Sequence, residues 1–129
     1  MKPKDYIKDK PLAMEYFNAI ADILKKRGMD DDAYSIELSR LANECYKYED
    51  CQVKAKVRED EGLGGFWNEY DNGTIQVNAL HTISKDASAT IDKLIAKFGL
   101  TPSDFSKIKD MVKEKKKASA LDSLTVSTT

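Results

Sequence analysis

From Asp30 to Glu61 the chain contains neither proline nor glycine. Within that run Tyr34, Leu38, Leu41, Ala42, Cys45 and Tyr48 keep one helical face apolar, so the segment predicts a long amphipathic helix. Asp30, Asp31 and Asp32 supply an N-cap and place negative charge at the N-terminal dipole of that helix. Its apolar stripe must be buried against another element. One stands just upstream. Pro11 occupies a favourable early helical position, Leu12, Tyr16, Ile20, Ile23 and Leu24 recur at spacings of three and four, and Gly28 supplies a stop. So short a connection predicts an antiparallel helical hairpin.

Glu61, Gly62, Leu63, Gly64 and Gly65 end the long helix. Phe66 to Val77 then mixes aromatic and β-branched residues around Asp71, Asn72 and Gly73, which reads as a short β-hairpin or an irregular loop. Asn72 and Gly73 both tolerate positive φ, as a type I′ turn requires. A third helix is predicted from about Asn78 to Phe98, with Leu80, Ile83, Ala87, Ile91, Leu94, Ile95 and Phe98 as its stripe and Gly99 closing it. Thr101, Pro102, Ser103 and Asp104 form a capping-box start, with Thr101 as cap and Asp104 reaching back. Phe105, Ile108 and Val112 give a fourth helix a narrow apolar edge.

These readings give a mainly α fold: an antiparallel helical hairpin plus two further helices, with a short irregular or β-hairpin segment between. A chain of 129 residues has room for one modest core. Residues 1–10, where Lys2, Lys4, Lys8 and Lys10 alternate with Asp5 and Asp9, are expected as a flexible N-terminal arm. Residues 11–117 form a single helical domain, and the Ser/Thr-rich 118–129 a disordered tail.

Several function classes find no support. No apolar run approaches the roughly 18 to 20 residues that cross a bilayer, and the first residues lack a signal-peptide core, so a cytoplasmic protein without membrane contact is expected. Cys45 and Cys51, six residues apart on one helix, point to different faces and are expected to be reduced and semi-buried. A structural zinc site wants four organised ligands, whereas these two cysteines have only His81 to join them. His81 has no nucleophile motif around it and reads as a surface or capping residue. Gly62, Gly64 and Gly65 lack the Lys-Ser or Lys-Thr pair of a phosphate-binding loop. The acidic runs Asp30–Asp32 and Glu59–Glu61 match no cation-binding spacing and read as capping and solvation. No catalytic residue, cofactor or metal is assigned.

Basic clusters remain. The formal net charge is −1, so any attraction to nucleic acid must be local. Lys25, Lys26 and Arg27 end the first helix, while Lys107, Lys109, Lys113, Lys115, Lys116 and Lys117 load the last against Asp110 and Glu114. These nine residues are the candidate DNA contacts. Two readings stand side by side: such lysines hold phosphates, or they complement a helix C-terminal dipole and keep a tail in solution. Trp67, with Phe66 and Tyr70, is expected to pack on the helices or on a neighbouring subunit rather than to stack on bases, because no Lys or Arg stands nearby.

The order of segments resembles the phage terminase small subunits: a helix ending at Gly28 and Met29, an Asp-led helix rich in Tyr, a Gly turn, and Asn78, Ala79 and Leu80 opening another helix. Phe98, Gly99, Leu100, Thr101 and Pro102 look like the Phe-Gly-Leu-Thr-Pro signature that precedes the final helix in one large group of these proteins. The resemblance covers roughly Pro11 to Met111. It departs from that group at Ala79, where a proline is usual, and after Pro102, where Phe105 or Lys107 replaces a common arginine. The resemblance implies a non-catalytic homo-oligomer, ring-shaped, in the cytoplasm of a bacterial host. Such a protein recognises double-stranded viral DNA and presents it to a large subunit that carries the ATPase and nuclease. Two alternatives remain open on the residues alone. One is a small helical DNA-binding transcriptional regulator, although no short recognition helix rich in Arg, Asn and Gln is found. The other is an adaptor that binds only protein.

Overall fold

The computed structural model describes the backbone of residues 1–127 and the side chains of residues 1–117. The architecture is mainly α with one small hairpin: α1 (Asp5–Lys8), α2 (Pro11–Lys26), a 3-10 turn (Asp32–Tyr34), α3 (Ser35–Asp60), β1 (Trp67–Glu69), β2 (Ile75–Val77), α4 (Ala79–Lys97) and α5 (Pro102–Ser127). The expected tail over 118–129 falls on residues whose side chains lie outside the described set; the backbone helix runs on to Ser127.

The helix ends follow local chemistry. Gly28 takes φ +75°, and Gly28 and Met29 donate back to Lys25 O and Leu24 O, which closes α2 in a Schellman motif. α3 opens later than its aspartates suggest. Asp31 Oδ1 accepts from Ala33 N at 2.9 Å and starts the 3-10 turn, so α3 itself begins at Ser35. Asn78 caps α4, taking the Leu80 and His81 N–H groups at 3.0 and 3.4 Å. The capping box of α5 is reciprocal: Asp104 Oδ2 accepts from Thr101 N at 2.8 Å and Thr101 Oγ1 from Asp104 N at 3.1 Å.

α3 is the spine, packed against α2 and α4, and α5 lies along α2. The core joins Tyr16, Phe17, Ile20 and Leu24 of α2 to Leu38, Leu41 and Cys45 of α3, Ile91 and Leu94 of α4, and Ile108 and Val112 of α5. Beyond it, α3 and α4 continue as a pair whose buried residues are small, Cys51 and Ala55 on α3 and Ser84 and Ala87 on α4. Cys45 and Cys51 are free and fully buried, further inside than the semi-buried positions expected of them.

The first ten residues lie against the bundle, where a flexible arm was expected. Ile7 is completely buried, and the Lys2 and Lys4 N–H groups each donate at 3.0 Å to Ser35 Oγ and Ser39 Oγ on α3. One buried side chain, Ile7, and the half-buried Met1 among alternating charges leave no periodicity to read, which is why the docking is invisible in the sequence.

β1 and β2 pair antiparallel with Trp67 opposite Val77, Asn68 opposite Gln76 and Glu69 opposite Ile75. The turn is not type I′. Among the described residues only glycines have positive φ, so Asn72 does not. Tyr70 N bonds Thr74 O, Gly73 N bonds Tyr70 O, and Gly73 sits at φ +82°, the three-residue pattern of a type I turn followed by a left-handed glycine. Asn72 serves through its side chain, accepting from Thr74 N at 3.0 Å. Arg58 fastens this hairpin to the end of α3, donating to Gly64 O and Asn68 Oδ1, both at 2.9 Å.

Candidate nucleic-acid interface

The lysines of α5 are placed by its apolar edge. Ile108 and Val112 are buried and Phe105 and Met111 half-buried, so the helix rotates its remaining positions outward. Lys109, Lys113 and Lys116 follow at spacings of four and three on one flank, a stripe about 10 Å long at 1.5 Å per residue. This stripe borders a shallow groove shared with Tyr16 of α2 and Tyr48, Glu49 and Gln52 of α3. Lys115 falls on the other side, beside Glu15 and Asp22 of α2. The run that reads as one basic block is therefore divided between two faces.

Acidic neighbours divide it further. Lys116 Nζ lies 3.6 Å from Glu49 Oε1, and the other carboxylate oxygen of Glu49 accepts from Tyr16 Oη at 2.8 Å. Burial, reinforced by Glu49, raises the Tyr16 phenol well above its ordinary pKa, so this hydroxyl acts as a donor at physiological pH. Lys109 Nζ sits 4.9 Å above the Phe105 ring, a cation–π contact that leaves the ammonium at the surface.

The second cluster, at the end of α2, meets the start of α5. Arg27 Nη2 contacts Asp104 Oδ1 at 2.8 Å across 77 residues of chain, and Lys26 pairs with Asp22 at 3.2 Å. Asp104 is drawn down to about 2, first by the Thr101 N–H and then by the Arg27 guanidinium. Arg27 thus has a structural role that its position in the sequence does not announce. Among the described residues, Lys25, Lys107, Lys109, Lys113, Lys115 and Lys117 are exposed and make no ion pair. These six present positive charge outward. Lys26, Arg27 and Lys116 share theirs with carboxylates.

The remaining candidates lie elsewhere. His81 is exposed on the first turn of α4, and among the described residues no three His, Cys, Asp or Glu side chains gather as metal ligands. Phe66 is half-buried, whereas Trp67 and Tyr70 stay 42% and 49% exposed, so their own helices do not cover them as packing would require. Arg58, which positions the hairpin, drew no notice in the sequence, because nothing in a helical pattern marks a side chain that bonds backbone carbonyls beyond the helix end.

Residues 13–116 match the family model described as phage terminase, small subunit. No curated protein and no solved structure matches the chain.

Proposed function

This chain belongs to the phage terminase small subunits, and from that membership we propose that it is the DNA-recognising, self-associating component of a packaging motor. It carries no catalytic role of its own. The family match across most of the chain is the observation that carries this reading. Its partners are double-stranded viral DNA, further copies of itself, and a large subunit that supplies ATP hydrolysis and DNA cleavage, all within the bacterial host cytoplasm.

The exposed lysines of α5 support a duplex-binding role through phosphate contacts. Lys109, Lys113 and Lys117 stand successively on one side of a rigid helix, and Lys107 and Lys25 add charge nearer its start. Each such contact contributes little alone. Repetition across an oligomer, such as the ring the family resemblance implies, multiplies them, and a near-neutral chain then gains useful affinity without base-specific contacts.

The test is duplex binding by fluorescence anisotropy over a salt series. Each phosphate contact steepens the slope of log K against log [salt] by about 0.9. Replacing Lys107, Lys109, Lys113, Lys115 and Lys117 with Gln is expected to weaken binding and flatten that slope by several units. No retention of duplex by the native chain at low salt would instead favour an adaptor that binds only protein.

A further inference from the structure

We propose that Glu49 masks one phosphate contact of α5: its carboxylate, held by the Tyr16 hydroxyl, occupies Lys116 and so limits how tightly this face takes a duplex. The proposal rests on the reading above that the α5 lysines bind duplex phosphates, and it names the residue that sets their strength.

Lys109, Lys113 and Lys116 border one groove of about 300 Å³, and among the described residues that line it Glu49 is the one carboxylate. It stands on α3, across the groove from the lysines. Glu49 Oε1 lies 3.6 Å from Lys116 Nζ, and Oε2 accepts from Tyr16 Oη at 2.8 Å. The two contacts are unequal. Tyr16 is 6% exposed, whereas the Lys116 side chain is 61% exposed. A hydrogen bond from a buried phenol to a carboxylate holds more firmly than an ion pair whose lysine stands in water. Glu49 therefore stays in place when Lys116 is drawn away, and its negative charge stays with it.

The other acidic side chains near these lysines do not share that arrangement. Asp110 and Glu114 are exposed on α5 and make no ion pair among the described residues, and Asp92 of α4 borders Lys109 without pairing with it. A duplex that approaches the stripe meets Lys109 and Lys113 with their charge free and Lys116 with its charge shared. Lys116 contributes only as far as a phosphate displaces Glu49, and the displaced carboxylate then repels that phosphate at short range. Each copy of the chain binds less tightly than three free lysines in a row would allow. In an assembly that repeats this face the reduction applies at every copy, which keeps sequence-independent binding reversible.

The experiment is duplex binding by the full chain, read by fluorescence anisotropy over a salt series. Glu49→Gln keeps an oxygen for the Tyr16 hydroxyl and removes the charge. It is expected to raise affinity at least about threefold at low salt and to steepen the slope of log K against log [salt] by up to about 0.9. Paired substitutions assign that gain to Lys116. In the native background Lys116→Gln should lose less than half the log K that Lys113→Gln loses, and in the Glu49→Gln background the two losses should be equal. The native-background comparison decides the matter even where Glu49→Gln fails to fold. Equal losses from Lys116→Gln and Lys113→Gln in the native chain, an unchanged affinity in folded Glu49→Gln, or a gain that survives removal of Lys116 would each overturn the mask and leave duplex binding standing. A native chain that retains no duplex at low salt, or retains it unweakened by Lys113→Gln, overturns the α5 reading and this one together.

Discussion

At the scale of single residues, the chain uses a few side chains to decide where whole segments lie. Ile7 is one. Its complete burial, together with the Lys2 and Lys4 backbone bonds to Ser35 and Ser39, fixes the first ten residues on α3. Ile7→Ala removes three buried carbons from a packed site and is expected to cost about 3 kcal/mol in a urea melt. A loss under about 0.5 kcal/mol, the ordinary surface range, would mean that the segment is not anchored. Cys45 makes a second case. Burial pushes its thiol up to about 12, so the native protein should resist alkylation by iodoacetamide at pH 8 and react only when unfolded. Rapid labelling of Cys45 in the native state, read by mass spectrometry, would contradict the packing described. Asp104 shows the opposite shift. Its folded pKa of about 2 lies below the ordinary 3.8, so its contribution is fully present above pH 3.8 and is lost as the pH falls through 2. An NMR titration of its carboxyl should place the midpoint near 2, and a midpoint at 3.8 or higher would show that Thr101 and Arg27 do not hold it.

At the scale of elements, legibility tracked how local the deciding interaction was. The starts of α2 and α5 and the glycine stops at Gly28 and Gly99 could be read directly, since caps and left-handed residues act within a turn of where they stand. The hairpin was legible as a place, but its turn was not. Asn-Gly fits a type I′ loop on residue preference, yet the Tyr70–Thr74 pair encloses three residues, and Asn72 satisfies Thr74 through its side chain instead. α1 escaped notice because four residues and one anchor make no pattern. Among the candidate contacts, all nine basic residues were visible as charges, while the carboxylates that take up Lys26, Arg27 and Lys116 come partly from other helices. The capping box of α5 is the element-scale test. Thr101→Ala should cost about 1 kcal/mol in a urea melt, because Asp104 N loses its hydroxyl acceptor, while the Thr101 N–H still donates to the Asp104 carboxylate. A variant as stable as the native chain would show that the helix start is held by something other than this box.

At the scale of the whole molecule, two regions of unlike construction share one spine. Four helices converge around the lower half of α3, where Leu38, Leu41 and Ala42 are wholly buried. Past Cys51 α4 accompanies it, and the hairpin is fastened by Arg58 and by the Asn78 amide on Gly65 O at 3.2 Å. Gly64 belongs to that fastening, since a Cβ there would stand 2.6 Å from the Trp67 carbonyl oxygen. The small size of the residues buried there, Cys51, Ala55, Ser84 and Ala87, gives the thin region its own consequence. With so little apolar volume to lose, this pair of helices can part without dissolving the core behind it. Amide exchange should therefore divide the spine at about its midpoint: slow, global-unfolding rates near Leu41, and rates set by local opening near Val57. Such a chain unfastens from the hairpin end inward, so whatever binds that end sets how much of the spine stays closed.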